Sequence, residues 1–205
     1  MQYRVNPRNG DRLSVLGYGC MRFTRKNGSI DQEKAEAEMT RALELGVNYF
    51  DTAWRYPGNE IAVGRFLAKG HRKEIFLATK MPQYKLKKES DADRFFQEEL
   101  ERLQTDYIDY YLMHMLSDFR SWERIKNLGI VEWIEKQKNT GAVRQIGFSY
   151  HGGTEDFLKI LEFDRLFLSK KLHHIPFLCW CFWFLYHDIS FYLFLLQAPY
   201  HNSPT

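Results

Sequence analysis

Short apolar segments alternate with helix-forming segments over most of this 205-residue chain, and this alternation constrains the fold more than any other feature. The apolar segments begin near residues 13, 49, 75, 108 and 143. Strands joined through helices pair in parallel by right-handed crossovers. The pattern therefore predicts an α/β fold, either an open doubly wound sheet or a closed eight-stranded barrel. The absence of a GxGxxG sequence after the first strand weakens the dinucleotide-sheet alternative.

Turn and capping residues mark the boundaries of the predicted elements. Asn9-Gly10 predicts a hairpin turn between strands at 3–5 and 13–17. Asp31 is positioned to cap the first helix, and Gly46 to end it. The other predicted strands are 49–51, 74–80, 108–113 and 143–148, and the predicted helices are 31–45, 60–67, 90–103, 130–139 and one that begins at 154.

Each of four successive predicted strands ends with a titratable or hydroxyl side chain, namely Asp51, Lys80, His114 and Ser149. The carboxyl ends of parallel strands share one face of the fold, where active sites are usually built. A lysine that directly follows the apolar run before Lys80 is costly to bury without an opposite charge, and Asp51 is the expected partner.

Four blocks of the sequence stand out, in chain order GVNYFDTAWRYPGNE, FLATK, LQTDYIDYYLMH and GAVRQIGFS. Together they resemble the aldo-keto reductases, which are NAD(P)H-dependent oxidoreductases built on a TIM barrel. The order, spacing and context of the blocks match this family, and the resemblance runs from about residue 1 to about residue 162. GYGCM near the N-terminus is similar to the family's first strand and its cofactor-side turn. The chain looks especially like a bacterial branch whose full-length members bind an iron–sulfur cluster after the barrel.

The resemblance implies a role for each matching residue. Tyr56 would protonate the substrate carbonyl oxygen as hydride arrives from the nicotinamide. Because a free phenol titrates near pH 10, this role needs a nearby cation, which would be Lys80. Asp51 would hold Lys80 in place, and His114 would donate to the same carbonyl oxygen. The implied cofactor is NADP(H) or NAD(H), and the implied cofactor-binding residues are Gly19, Cys20, Met21, Asp51 and Ser149.

The amino-acid usage changes near residue 163. All thirteen glycines lie at or before Gly153, and no valine follows Val143. The chain supplies five βα units, whereas a complete barrel needs eight. We therefore divide it into a partial barrel of this family at 1–162 and an atypical tail at 163–205. An iron–sulfur cluster is expected only in a full-length parent.

Three interpretations of the tail compete. A frameshift or artificial junction explains the loss of Gly, Val, Met and Glu together with the enrichment in Phe, Trp, His and Cys. A membrane anchor over 175–196 is long enough to span a bilayer, but it would contain His187 and Asp188, which are costly there. The third interpretation is a metal site, whose residues lack the usual ligand spacing. Its ligands would be His173, His174, Cys179 and Cys181.

The leading functional hypothesis is reduction of a small aldehyde or ketone to an alcohol. The alternative is a non-catalytic barrel fragment that binds a nucleotide or a partner. In this alternative, the tail would associate the fragment with a membrane. A metal-dependent hydrolase using Asp51, His114 and His151 ranks last, because Tyr56 would then be idle. A net charge of +3 gives no argument for nucleic acid, and three cysteines form no disulfide framework.

We expect a cytoplasmic protein, because no apolar run follows the N-terminal basic residues as a signal peptide would require. We expect no resident metal in the barrel and no nucleic-acid partner. A parallel sheet that does not close exposes backbone and apolar surface at its edge. Low stability and little activity are therefore expected for the 205-residue chain as written.

Overall fold

The structure of the protein is a computed structural model, and it describes residues 1–7, 9–163, 180–181 and 191–192. Its strands and helices alternate from residue 29 to residue 127, a second helix then precedes the next strand, and two short 3₁₀ turns, His71–Glu74 and Gln83–Lys85, flank one strand. The strands are β1 (Tyr3–Val5), β2 (Arg12–Ser14), β3 (Tyr18–Gly19), β4 (Arg25–Lys26), β5 (Ser29–Ile30), β6 (Tyr49–Asp51), β7 (Phe76–Met81), β8 (Ile108–Leu116), β9 (Val143–Tyr150), β10 (Trp180–Cys181) and β11 (Phe191–Tyr192). The helices are α1 (Gln32–Glu44), α2 (Asn59–Leu67), α3 (Ser90–Leu103), α4 (Phe119–Asn127), α5 (Ile130–Thr140) and α6 (Thr154–Phe163).

A seven-stranded sheet organises the molecule, in the order β10-β11-β9-β8-β7-β6-β3. The five strands from β3 to β9 in this sheet pair in parallel with their neighbours, and helices connect them from β6 onward. This arrangement confirms the predicted α/β fold. Beyond β9 the pairing changes, because β11 lies antiparallel to β9 and β10 lies antiparallel to β11. Within the described residues, we find no helix with the length and hydropathy of a membrane span.

The first strand of the parallel sheet is not the one predicted at 13–17. Residues of that segment form β2, which pairs with β1 in the predicted hairpin, while β3 pairs with β6. Leu13 is nevertheless buried, because the hairpin packs it against Tyr49, Ala78 and Tyr110 on the inner face of the sheet. Leu13 is therefore apolar because it packs where the hairpin covers the sheet, and not because it belongs to a strand of the parallel sheet.

Side chains alternate between the two faces of each parallel strand, and this alternation positions the site. Phe50, Leu77 and Phe148 lie in the large apolar cluster that joins the sheet to its helices. Asp51 and Ser149 follow Phe50 and Phe148 by one residue, and Lys80 follows Leu77 by three, so each is an odd number of residues away. By period two, these polar residues belong to the opposite, inner face of the sheet.

Several strand boundaries differ from the prediction. Lys80, His114 and Ser149 do not end their strands, because β7, β8 and β9 continue to Met81, Leu116 and Tyr150. Glu74 belongs to the 3₁₀ turn before β7 and not to the strand. Each predicted strand was ended at the first polar residue after an apolar run. In the structure, backbone pairing with the neighbouring strand continues beyond that residue.

Helix α4 was missing from the prediction. Trp122 and Ile125 of this helix are buried, and Phe119 packs against the same core, so one apolar residue in every three faces the sheet. Asp118 caps the helix by accepting a hydrogen bond of 2.7 Å from the backbone N–H of Ser121. The apolar spacing and this cap were both readable signals for the helix.

Two carboxyl side chains are buried together between the sheet and its helices. Glu60 of α2 is 2% exposed, and Glu99 of α3 is fully buried. The Thr79 hydroxyl lies between them, donating to Glu60 at 2.6 Å and lying 3.3 Å from Glu99 Oε1, and Tyr111 donates its hydroxyl hydrogen to Glu99. Burial raises the pKa of both carboxyls, and the pKa of Glu99 is raised furthest because the Glu60 charge adds to burial.

The replacement Glu99→Gln tests whether Glu99 retains its proton in the native protein. The native Glu99 carboxyl retains a proton that the unfolded chain releases near its ordinary pKa, so wild-type stability falls as pH rises from there toward the raised native pKa. The amide has no proton to lose, so we expect the stability of the variant relative to wild type to rise by about 1.4 kcal/mol per pH unit within that window.

Urea unfolding followed by tryptophan fluorescence at about pH 5.5 and pH 8 measures this change. Glu101→Gln is the matched control, because Glu101 is exposed on the same helix. A pH dependence in Glu99→Gln equal to that of wild type would show that Glu99 is ionised in the native protein.

Candidate active site

A buried ion pair forms the base of the candidate site. The Nζ atom of Lys80, on β7, donates to Asp51 Oδ1 of β6 at 2.5 Å and to the Thr52 carbonyl oxygen at 2.7 Å. The Lys80 side chain is fully buried, whereas the Asp51 side chain is 16% exposed. Burial raises the pKa of the Asp51 carboxyl, and the Lys80 ammonium opposes that shift. The pairing predicted from the sequence is present in the structure.

Tyr56 and His114 lie beside this ion pair. Lys80 Nζ is 5.4 Å from the centroid of the Tyr56 ring, and the Tyr56 and His114 ring centroids are 5.9 Å apart with an interplanar angle of 89°. The Tyr56 side chain is half-buried. The loop after β6 and the strands β6, β7 and β8 thus bring together the four residues that the sequence singled out.

The imidazole of His114 is neutral at physiological pH. It is 4% exposed, and burial lowers its pKa to about 3, assisted by the positive charges of Lys80, His151 and Arg55. Its Nδ1 atom is buried with no hydrogen-bond partner among the described residues. Buried polar atoms almost always have a partner, so this atom is available to a ligand or a water molecule.

The turn containing Gly19, Cys20 and Met21 lies next to Asp51. Gly19 pairs with Asp51 in the sheet, and the Cys20 N–H donates to the Asp51 carbonyl oxygen at 2.7 Å. A Cβ atom added at Gly19 would meet nothing within 4 Å, so this side of the turn is open. Burial raises the pKa of the Cys20 thiol, and Asp51 adds to the shift, so the thiol is neutral and unreactive.

Asn59 ties this turn to the loop that carries Tyr56, and the sequence analysis did not identify it. The Asn59 side-chain amide donates to the Cys20 carbonyl oxygen and, at 2.9 Å, to the Met21 carbonyl oxygen. The residue is 1% exposed and opens α2 directly after Gly58. In the sequence, the one signal for this bridging role is that an asparagine follows the loop of Tyr56 by a few residues.

We expect Asn59→Ala to destabilise the protein by about 1–3 kcal/mol, because two carbonyl oxygens lose their donor in a buried place. Urea unfolding measures the loss. Asn139→Ala is the matched control, since Asn139 is exposed on α5. Equal stability of the two variants would mean that water replaces the Asn59 amide at no cost.

Ser149 positions the residue that follows His114. Its hydroxyl oxygen accepts a 2.8 Å hydrogen bond from the backbone N–H of Met115, which has a φ of +59°. Residues other than glycine rarely adopt this left-handed conformation, which here accompanies an irregularity in β8 between Met113 and Leu116. Ser149 is buried on β9, so it lies close to the predicted site.

The hydrolase alternative finds no support in the described residues. Among them, no group of three or more His, Cys, Asp or Glu side chains could hold a metal ion. The tail residues His173, His174 and Cys179 and the side chain of Cys181 lie outside the described part, as does most of the proposed span at 175–196.

Comparison with known proteins identifies a family. A sequence model described as "Aldo/keto reductase family" matches residues 15–179. Aldo-keto reductase yakc [NADP(+)] of Schizosaccharomyces pombe is 32% identical in an alignment of 151 residues that covers 68% of this chain and 43% of that protein. L-galactose dehydrogenase of Arabidopsis thaliana is 31% identical in an alignment of 156 residues that covers 73% of this chain and 48% of that protein.

Solved structures agree with these relatives. The holo form of an aldo-keto reductase from Bacillus halodurans is 34% identical, with a TM-score of 0.61 over 73% of this chain and 50% of its own. An aldo-keto reductase from Klebsiella pneumoniae in complex with NADPH is 25% identical, with a TM-score of 0.63 over 81% of this chain and 55% of its own. The chain therefore spans about half the length of the curated relatives it matches.

Proposed function

The chain belongs to the aldo/keto reductase family of oxidoreductases, and on that basis we propose that its site reduces a small aldehyde or ketone to an alcohol, with Tyr56 as the proton donor. The observation that carries the proposal is the buried pair of Lys80 and Asp51 beside Tyr56 and a neutral His114. A buried ion pair is costly to maintain, and the fold gains little stability from it relative to apolar side chains. Its position beside a half-buried phenol indicates a chemical use.

The protonation of His114 distinguishes the two candidate proton donors. A neutral imidazole can donate a hydrogen bond to a carbonyl oxygen but releases its remaining proton only at extreme pH. Tyr56 is then the group that transfers a proton, and the nearby Lys80 ammonium stabilises the phenolate that the transfer leaves behind. Asp51 keeps that ammonium charged and in place.

The inner face of the sheet fits the nicotinamide end of NADP(H). The turn at Gly19 is open, and Asp51 Oδ2 is buried without a hydrogen-bond partner among the described residues. We propose that Gly19, Cys20 and Met21 border the cofactor, that Asp51 Oδ2 accepts from it, and that Ser149 bounds its far side. When bound, the cofactor supplies the hydride. The choice of NADP(H) rests on the S. pombe and K. pneumoniae proteins, whose descriptions name it.

The test is deuterium transfer from labelled NADPH. The purified chain is incubated with 4-deuterated NADPH of either configuration and an aromatic aldehyde, and the alcohol is analysed by mass spectrometry. Label from one configuration only is the expected result, and the method detects even the low turnover expected of this chain. NADPH binding without any labelled alcohol would instead support the non-catalytic, nucleotide-binding alternative.

A further inference from the structure

The guanidinium of Arg55 lies at the edge of the site, with no acidic partner in the described part of the chain. Its Nη1 atom is 3.0 Å from the Met115 sulfur, and its Cζ atom lies 5.8 Å from the centroid of the Tyr84 ring. Among the described residues, it forms no ion pair with a carboxylate. A thioether is a weak acceptor and a ring face carries only partial charge, so the described residues leave the cation uncompensated.

Arg55 is also adjacent to both groups that would touch the carbonyl. It directly precedes Tyr56, and its contact residue Met115 directly follows His114. The contact with Met115 therefore holds the guanidinium next to the strand segment that carries His114. The positive charge of Arg55 also contributes to lowering the pKa of the His114 imidazole.

The Arg55 side chain is exposed but oriented. Met115 and Tyr84 hold the guanidinium from two sides, and its remaining N–H donors are not used by the described residues. The planar fork of an arginine matches a carboxylate with two parallel hydrogen bonds. An oriented, uncompensated fork beside a carbonyl site is an arrangement suited to a substrate that carries its own negative charge.

Resting on the proposed function, we propose that Arg55 determines substrate specificity by binding a carboxylate group on the carbonyl substrate. The favoured substrates are aldehydes or ketones whose carboxylate lies a few bonds from the carbonyl carbon. The reaction remains the reduction proposed above, and Arg55 takes no proton and no hydride.

The test compares 4-formylbenzoate with its methyl ester, which have the same ring and aldehyde but differ in charge. We expect wild type to prefer the acid, and Arg55→Met to reduce the acid-to-ester ratio of kcat/KM by about tenfold or more, as for loss of one charge-assisted hydrogen bond. Arg55→Lys should restore part of the preference. Arg65→Met is the matched control, because Arg65 is exposed on the outer side of α2.

A binding measurement separates this inference from the proposed function. Ligand-detected NMR with 4-(hydroxymethyl)benzoate and its methyl ester requires neither cofactor nor turnover. Binding of the acid to wild type, weakened in Arg55→Met but not in Arg65→Met, supports the carboxylate site even if no alcohol is formed. An unchanged acid-to-ester ratio in Arg55→Met, or equal binding of acid and ester to wild type, overturns the inference.

Discussion

Replacing Tyr56 by phenylalanine is expected to lower the rate of carbonyl reduction by about 10²–10⁴-fold, the range for removal of a positioned general acid. The variant retains the ring that contacts His114 and lies near Lys80, so the site should keep its shape. Transfer of deuterium from labelled NADPH to the alcohol measures the rate. Binding of NADPH, followed by its fluorescence, should change little.

Tyr84→Phe is the matched control, because Tyr84 is an exposed tyrosine at the edge of the same site. It should retain the wild-type rate. If Tyr56→Phe retains that rate as well, the proton comes from another group and the proposed role of Tyr56 is wrong.

Replacing Lys80 by methionine is expected to destabilise the protein by about 3–5 kcal/mol, the cost of breaking a buried ion pair from one side. The change leaves the Asp51 carboxyl in a largely buried place without its ammonium. Without that ammonium, which opposes the effect of burial, the pKa of Asp51 should rise further. Urea unfolding at neutral pH measures the loss.

The pH dependence of this loss has a definite sign. When the native pKa of a carboxyl is raised, the protein loses stability as pH rises from the ordinary pKa of that carboxyl toward its native pKa. The deficit of Lys80→Met should therefore be smaller at about pH 4 than at pH 7.

Two further variants make this interpretation specific. The double variant Asp51→Asn with Lys80→Met removes both charges and should recover part of the lost stability. Lys69→Met is the control, since Lys69 pairs with Glu36 at the surface and such pairs contribute about 1 kcal/mol or less. Equal losses for the Lys69 and Lys80 variants would contradict a costly buried pair.

Several features of this protein could be predicted from local sequence. The helix cap at Asp31 is present, with the side chain accepting from the N–H of Lys34, and the hairpin at Asn9-Gly10 pairs as expected. Predicted helix 90–103 has the bounds observed for α3. These features depend on residues within a few positions of one another, so the sequence contains all of the physics that decides them.

The predicted ion pair depended on a stronger argument than proximity in sequence. Lys80 follows an apolar run, and a buried ammonium requires an anion, so Asp51 at the end of the preceding strand was the natural partner. That inference needed only the rule that the carboxyl ends of parallel strands share one face.

The sequence alone therefore determined most of the strand–helix order, apart from α4 and the first strand of the parallel sheet, together with the main caps and the charged pair at the base of the site. The tertiary structure alone decided that Glu60 and Glu99 meet across Thr79, that Asn59 ties the Gly19 turn to the Tyr56 loop, and that Arg55 lies beside Met115. The partners in these contacts are separated by up to 60 positions along the chain. Burial and the electric field at a side chain depend on such distant neighbours, and only the packing of the sheet and helices brings them together.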